Sequence, residues 1–325
     1  MKAVLVTEFG GAEVLKYTEV ELPEVKSNEV LIKVDATSVN YADIKARFGQ
    51  KGANTPPFIP GLDATGTIQQ VGSNVKGLKV GQRVISFPHG GTYAEYVVAS
   101  ELLTYEIPES ISLEVAAASP IVSFLSYTLL ADLARMKKGE TVVVHSAAGG
   151  VGSTAVQFAK LLGAGTVIGT VGNLAKANIA LEAGADYVLS YEEGDFAKEI
   201  NEITSGNGAD IILDSVAGSV TGKSLECLTP YGRLINFGNS SGGVGQFTTS
   251  DVHASCRSVL GFSLGTTRKK RPQLIGAIAE KVIPLLADGR INIKIGKHFP
   301  LEEAAQAQSW IESRQSIGKV LLKVT

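Results

Sequence analysis

The chain has 325 residues, enough for two domains rather than one core, and 44% of them are hydrophobic, enough to fill both. Charged residues make up 19% and the formal net charge is −2, which gives no general electrostatic reason to bind nucleic acid or an anionic membrane, although a local patch suffices for a small charged partner. The two cysteines, Cys227 and Cys256, read as free thiols in a reducing cytoplasm, since a chain of this size needs no disulfide.

At the N-terminus, Lys2 and the apolar run Ala3-Val4-Leu5-Val6 are too short for a signal peptide, and no stretch approaches the ~20 apolar residues of a membrane span. Residues 3–6, 29–34, 64–72 and 83–87 read as short strands, separated by turn signals such as Phe9-Gly10-Gly11, Leu22-Pro23 and Val80-Gly81-Gln82. Many short strands without long helices predict a β-rich, barrel-like domain. Near residue 111 the character changes: an Ala-rich helix begins over 112–118 and is interrupted by Pro120, and a second apolar helix runs over 124–136. From Thr141 strands alternate with helices. The strands are expected at 141–145, 166–171, 187–189, 211–214 and 234–237, with helices at 151–162, 173–183, 196–204 and 221–228. This order, with strands apolar throughout, predicts a parallel, doubly wound sheet, closed by a last strand over 258–264. The basic cluster Arg268-Lys269-Lys270-Arg271 then precedes a helix reaching about Gly289, read either as a solvated surface or as the border of a cleft that attracts anions. Strand 291–295, helix 301–313 and strand 320–324 are expected to return to the first domain, giving a first domain of 1–121 completed by 266–325 and a second of 122–265.

The most specific signal is Thr141-Val142-Val143-Val144-His145-Ser146-Ala147-Ala148-Gly149-Gly150-Val151-Gly152, a strand, a glycine turn and the start of a helix. It matches G-x-G-x-x-G with Ala147 in the first glycine slot and Gly149 and Gly152 in the others, with Gly150 and Val151 between. A turn that passes close to a pyrophosphate tolerates no intruding Cβ, and the helix N-terminus supplies free N–H groups to the anion. Sites that prefer NAD place an acid about 20 residues further on, against the ribose hydroxyl. Here Gly169-Thr170-Val171-Gly172-Asn173 has none, while Lys176 is placed to meet a 2′-phosphate, which favours NADPH; the alternative is a solvated lysine and an indifferent site. Asp214-Ser215-Val216 and Phe237-Gly238-Asn239-Ser240-Ser241 end later strands, where parallel sheets hold ligands, and are expected on the nicotinamide side.

These residues closely resemble the zinc-independent quinone oxidoreductase, or zeta-crystallin, branch of the medium-chain dehydrogenase/reductase superfamily. The resemblance rests on Val39-Asn40-Tyr41-Ala42-Asp43, Pro60-Gly61-Leu62-Asp63-Ala64-Thr65-Gly66, the glycine turn continuing to Gln157, Gly169-Thr170-Val171-Gly172, residues 237–242 and Gly318-Lys319-Val320. It implies a GroES-like β-rich catalytic domain interrupted by a Rossmann domain. It also implies that Lys176, Tyr191 and Arg314 surround the NADPH 2′-phosphate, that Phe237 and Asn239 contact the nicotinamide, and that Asn40 and Tyr41 face the substrate. A homodimer through the sheet edge near Leu260 is a further implication. Where relatives carry tyrosines after the Asn motif, this chain has Lys45-Ala46-Arg47-Phe48-Gly49-Gln50-Lys51-Gly52.

Zinc relatives place Cys-His where this chain has Asn40-Tyr41, and Gly-His-Glu where it has Gly61-Leu62-Asp63. The four histidines, His89, His145, His253 and His298, are scattered, and no C-x₂-C spacing exists, so no metal site is expected. His145, in an apolar strand, reads as a packed core residue, and Ser146 lacks the G-x-S-x-G frame of a nucleophile. Without a Lewis acid, reduction of an electron-poor acceptor remains feasible: NADPH-dependent reduction of quinones, or alternatively of enals, enones or enoyl thioesters. The proton can come from water or from a nearby tyrosine, for which Tyr41 is a candidate; no strong general acid is identifiable. A non-catalytic NADPH-binding structural or RNA-binding role is the third reading, and the balanced charge argues against RNA.

Overall fold

The computed structural model describes residues 1–50 and 54–324. The chain divides into two units, one of residues 1–121 with 267–325 and the other of 122–266.

The second unit holds a six-stranded sheet in the order Tyr187–Ser190, Thr166–Val171, Thr141–His145, Ala209–Asp214, Leu228–Asn236, Ser258–Gly261, every neighbouring pair parallel. Helices Gly150–Leu161, Ala177–Glu182, Phe196–Ile203 and Ser219–Glu226 make the crossovers. The central strands are apolar on both faces because both faces are covered: Val142, Val143, Val144, Ile211, Ile212 and Leu213 are inaccessible to solvent. The expected doubly wound α/β sheet is therefore present. Its edge strand pairs Leu260 with Ile235 and has no further strand beside it among the described residues.

The first unit is β-rich, as expected. Strand Lys2–Val6 pairs antiparallel with Leu15–Glu19. A seven-stranded sheet centres on the long strand Glu29–Val39, which pairs antiparallel with Ala64–Val71, Tyr96–Ser100 and Lys319–Lys323. Two register shifts along its pairing with Ala64–Val71 let that strand bend. The C-terminal strand pairs Val320 with Val39, so Lys319 arrives beside Asn40, where the central strand gives way to helix Tyr41–Arg47.

The structure departs from expectation in several elements, and the strand expected at 234–237 begins six residues earlier, as Leu228–Asn236. Pro120 does not interrupt its helix; Leu113–Tyr127 runs through it and continues as a π-helical turn over Thr128–Leu133. Proline deprives the Ala116 carbonyl of its N–H, and the Ser119 hydroxyl takes that place at 3.5 Å, while the Ile121 N–H turns to Asp63 Oδ2 at 3.3 Å. The resulting helix Leu113–Leu133 is long and apolar enough to cross a membrane, contrary to expectation, but 72% of its most apolar window is buried against protein. The last strand of the parallel sheet stops at Gly261, and Leu264–Lys270 is helical, so the basic cluster ends one helix, and Pro272 begins the next at a position that needs no N–H. The strand expected at 291–295 lies at Ile295–Pro300 instead: the apolar 291 and 293 side chains are buried without strand pairing, and pairing with Lys319–Lys323 begins only at Ile295.

Candidate functional site

The glycine turn leaves strand Thr141–His145 and enters helix Gly150–Leu161 with Gly149 as N-cap. Its left-handed residue is Ser146 (φ +55), not a glycine. Ala147 occupies the first glycine slot because its methyl points into the sheet, against Gly169, where a Cβ would stand 2.8 Å from it. Gly152 is different: a Cβ there would lie 2.2 Å from the Ser146 carbonyl oxygen. That carbonyl accepts the Gly149 N–H at 2.9 Å, and the first bond of the helix proper is Ser153 N–H to Gly149. The N–H groups of Gly150, Val151 and Gly152 thus precede the helical ladder, as an anion cradle requires.

The neighbouring strand ends form one rim. Asp214 closes its strand by accepting the N–H groups of Val216 and Ala217 at 2.9 Å each and the Thr221 hydroxyl at 2.6 Å. Phe237 N–H bonds to the Asp214 carbonyl, and Ser240 and Ser241 bond to Ser215 and Val216, which laces the two loops side by side. Val216, Phe237, Gly238 and Asn239 are thereby held on the same carboxyl edge of the sheet as the glycine turn. Asn173 caps the turn Leu174–Lys176 by accepting the Ala175 N–H, and Lys176 is half-buried there. Tyr191 follows strand Tyr187–Ser190, its hydroxyl so near Gly172 that a Cβ on that glycine would be 2.9 Å away. Arg314, left-handed at φ +57 after helix Ala304–Glu312, belongs to the other unit, as do Asn40 and Tyr41.

Beneath the turn lies a polar chain that sequence reasoning did not assemble. His145 is fully buried; its Nδ1 lies 2.7 Å from Thr170 Oγ1 and its Nε2 2.8 Å from Ser224 Oγ. Ser224 spends its own proton on the Val220 carbonyl, so Nε2 carries the imidazole hydrogen and Thr170 donates to Nδ1. Thr170, expected among the cofactor contacts, turns its hydroxyl inward to this histidine, and its carbonyl accepts the Ala147 N–H. Burial pushes the imidazole down to about 4, with Asp214 pulling weakly the other way. In the unfolded chain it titrates near 6.5. The neutral form is thus a condition of folding: its contribution is complete above pH 6.5 and falls as the pH drops toward 4, by about 3 kcal/mol. Asp43, pushed up to about 7, and Asp63, also raised, oppose this slope, since they bind protons more readily in the folded state. The expected result is therefore a difference: His145→Gln unfolds in urea with a stability less weakened by acid between pH 6.5 and 4 than the parent. Parallel pH profiles of the two proteins would exclude the assignment.

In the first unit, Asn40 ends the central strand and begins helix Tyr41–Arg47, its backbone N–H bonded to Asp43 Oδ2 at 2.9 Å. Its side chain is spoken for at both ends: Oδ1 accepts from Lys319 Nζ at 2.7 Å, and Nδ2 donates to Asp63 Oδ1 at 3.0 Å and to Ser38 Oγ at 3.2 Å. Ser38 also donates to Asp63, and Tyr93 donates to Asp43 Oδ2. Burial disfavours every charge here, lowering Lys319 and raising both carboxyls, with the Lys319–Asp63 attraction partly offsetting it. Asp43 is pushed up to about 7, with burial the largest cause. Tyr41, by contrast, is exposed, with Lys45 Nζ 5.6 Å from its ring centre. Arg47 is wholly buried, bonded to Gly10, Gln308 and, bidentate, Glu312. It anchors the helix rather than lining a pocket; Lys51 and Gly52 lie outside the described residues. The Asn40-x-x-Asp43 spacing is a helix-start signal that could have flagged this pair; Lys319 entered only within the Gly318-Lys319-Val320 resemblance, with no role attached.

Asn40 thus holds an ammonium that is part of the chain and is itself held by Asp63, and among the described residues no group of three His, Cys, Asp or Glu is placed to hold a metal. This position does not fit a zinc ion. The glycine turn fits a dinucleotide.

The two units together define a dinucleotide-dependent oxidoreductase built from a GroES-like and a Rossmann-type part. The family model for the alcohol dehydrogenase GroES-like domain matches residues 26–109, and that for the zinc-binding dehydrogenase domain matches 150–280. Human quinone oxidoreductase is 35% identical over 326 residues, covering 99% of this chain and 97% of the relative. The synaptic vesicle membrane protein VAT-1 homolog of Danio rerio is 32% identical, covering 99% of this chain and 69% of that protein. The crystal structure of Escherichia coli quinone oxidoreductase complexed with NADPH superposes with a TM-score of 0.93 at 33% identity, each chain covered in full. The chain belongs to the zinc-independent quinone oxidoreductase branch of the medium-chain dehydrogenase/reductase family.

Proposed function

We propose that this protein transfers a hydride from NADPH to a quinone without a metal. The observation that carries the reading is the rim of the parallel sheet. The glycine turn presents three helix-start N–H groups to a pyrophosphate, and the next strand end, Gly169 to Asn173, offers a half-buried Lys176 and no acid. A carboxylate there would repel a 2′-phosphate, whereas an ammonium attracts it. The NADPH complex of the Escherichia coli relative supports the cofactor, and the similarity to quinone oxidoreductases of human and bacterial origin supports the acceptor. When bound, NADPH supplies the hydride. The chain's own part is to hold the pyrophosphate at Gly149, Gly150, Val151 and Gly152, and to place the nicotinamide half against Val216, Phe237, Gly238 and Asn239. Thr170 and Asn173 act indirectly, one bracing the turn through His145 and the other capping the segment that carries Lys176. Tyr191 and Arg314 belong to the same proposal as further 2′-phosphate contacts, and the exposed Tyr41 as the acceptor-side residue.

The test is titration with NADPH and NADH, followed by turnover of 1,4-benzoquinone. NADPH is expected to bind preferentially, and Lys176→Ala to weaken it by about 10-fold while leaving NADH nearly unchanged, the size of one charge-assisted hydrogen bond. Equal affinity for both nucleotides would defeat the reading of the strand end. NADPH binding without quinone turnover would shift the acceptor to a conjugated enal, enone or enoyl thioester.

A further inference from the structure

We propose that Arg268 is the acceptor-oxygen ligand of the first unit: its guanidinium receives the acceptor's carbonyl oxygen and holds the negative charge that arrives there with the hydride. The inference deepens the reading above and rests on it. Of the basic cluster, Lys269, Lys270 and Arg271 are exposed, whereas Arg268 folds inward. Its guanidinium lies 5.3 Å from the centre of the Phe87 ring, and Nη1 donates to the Leu62 carbonyl at 2.6 Å. A guanidinium has five N–H donors. Among the described residues this is the one hydrogen bond the Arg268 guanidinium makes, and its Nε is shut off from solvent without an acceptor. No carboxylate neutralises it directly: Asp63, one residue beyond Leu62, spends its oxygens on Ser38, Asn40 and Ile121.

The competing groups around that turn are already committed. Asn40 is bonded through both ends of its amide, and Lys319 is fully buried on Asn40 and the Val39 carbonyl. Arg268 therefore carries the unspent donors beside the Leu62–Asp63 turn. Hydride transfer brings two electrons and one hydrogen to the acceptor, so a quinone becomes a hydroquinone monoanion and a conjugated ketone an enolate. In both, the new charge rests on oxygen, which then takes a proton from water, while the nicotinamide is left oxidised. A fixed planar cation with donors aimed at that oxygen stabilises the charge as it develops.

Two readouts test this. Arg268→Gln is expected to lower kcat/KM for 1,4-benzoquinone about 100-fold while NADPH affinity and the unfolding midpoint stay within error. Independently of turnover, 4-nitrophenol serves as an oxyanion probe: the parent protein should favour its phenolate, so the bound probe titrates at lower pH than the free one, and Arg268→Gln should abolish that shift. Should the Gln variant not fold, Arg268→Lys must keep the shift while losing about 10-fold in kcat/KM. An unchanged shift or unchanged kcat/KM in Arg268→Gln overturns the proposal, as does a parent protein that binds no phenolate. A phenolate shift lost in the variant, with no quinone turnover by the parent, upholds Arg268 and removes the quinone reading instead.

Discussion

Replacing Lys319 by Met is expected to destabilise the folded protein by about 3–5 kcal/mol, the range found when one partner of a buried charge pair is removed. The ammonium is buried, bonded to Asn40 Oδ1 and the Val39 carbonyl, with the Asp63 and Asp43 carboxyls nearby. Burial lowers Lys319 and raises Asp63, and each charge partly offsets that cost for the other, so the ammonium and the carboxylate depend on one another. Methionine fills similar volume but leaves Asp63 as an unpaired buried anion and the Asn40 amide oxygen without a donor. Asp63 must then take up a proton to fold, so the deficit should shrink as the pH falls. Adding Asp63→Asn should recover part of the loss, because an uncharged amide in that place needs no counter-ion. Urea unfolding of the two single variants and the double variant gives the coupling directly. A loss below ~1 kcal/mol in Lys319→Met would show that the pair contributes little and that Asn40 is oriented by Asp63 and Ser38 alone.

That cluster also marks where sequence reading stops. The alternation of strands and helices after Thr141 is a local property of apolar runs, caps and glycines, so the first strands of the parallel sheet and its glycine turn were legible within a residue or two, whereas strand Leu228–Asn236 begins six residues before the expected 234. The polar groups that arm the fold are joined across long separations. Asn40 meets Lys319 279 positions away, and Arg268 meets Leu62 across 206. No periodicity reports such a pairing, and a lysine before a C-terminal strand or an arginine in a basic run looks like surface. Pro120 misled for a related reason: its helix survives because Ser119 and Asp63 absorb the hydrogen-bonding defect, and Asp63 is 58 residues from the N–H it accepts. The left-handed position of Ser146 carried no signal in the sequence. The serine takes the strained backbone, and the glycines keep the space above the turn free of a Cβ.

Gly152→Ala tests that last distinction and is expected to be the most damaging single methyl in the second unit. The added Cβ would stand 2.2 Å from the Ser146 carbonyl oxygen and 2.7 Å from Ala147 Cα, both backbone, so no side-chain rotation relieves it. Ser146 cannot yield easily: it is already left-handed, and its carbonyl holds the Gly149 N–H. Relief must come from the turn itself, which moves the N–H groups of Gly150 and Val151 away from their cradle positions. The folded state should lose about 3 kcal/mol, the upper part of the range for overpacked sites. NADPH affinity should fall at least ~100-fold, since two or more charge-assisted hydrogen bonds lose their geometry together. Gly149→Ala is the matched control. Its Cβ would lie 3.3 Å from the same oxygen at an ordinary φ of −79°, a contact that a shift of a few tenths of an ångström accommodates. Isothermal titration of both variants should separate them by more than ten-fold in NADPH affinity. Equal affinities would mean that the turn relaxes around position 152 and that close approach to the pyrophosphate is not what keeps a glycine there.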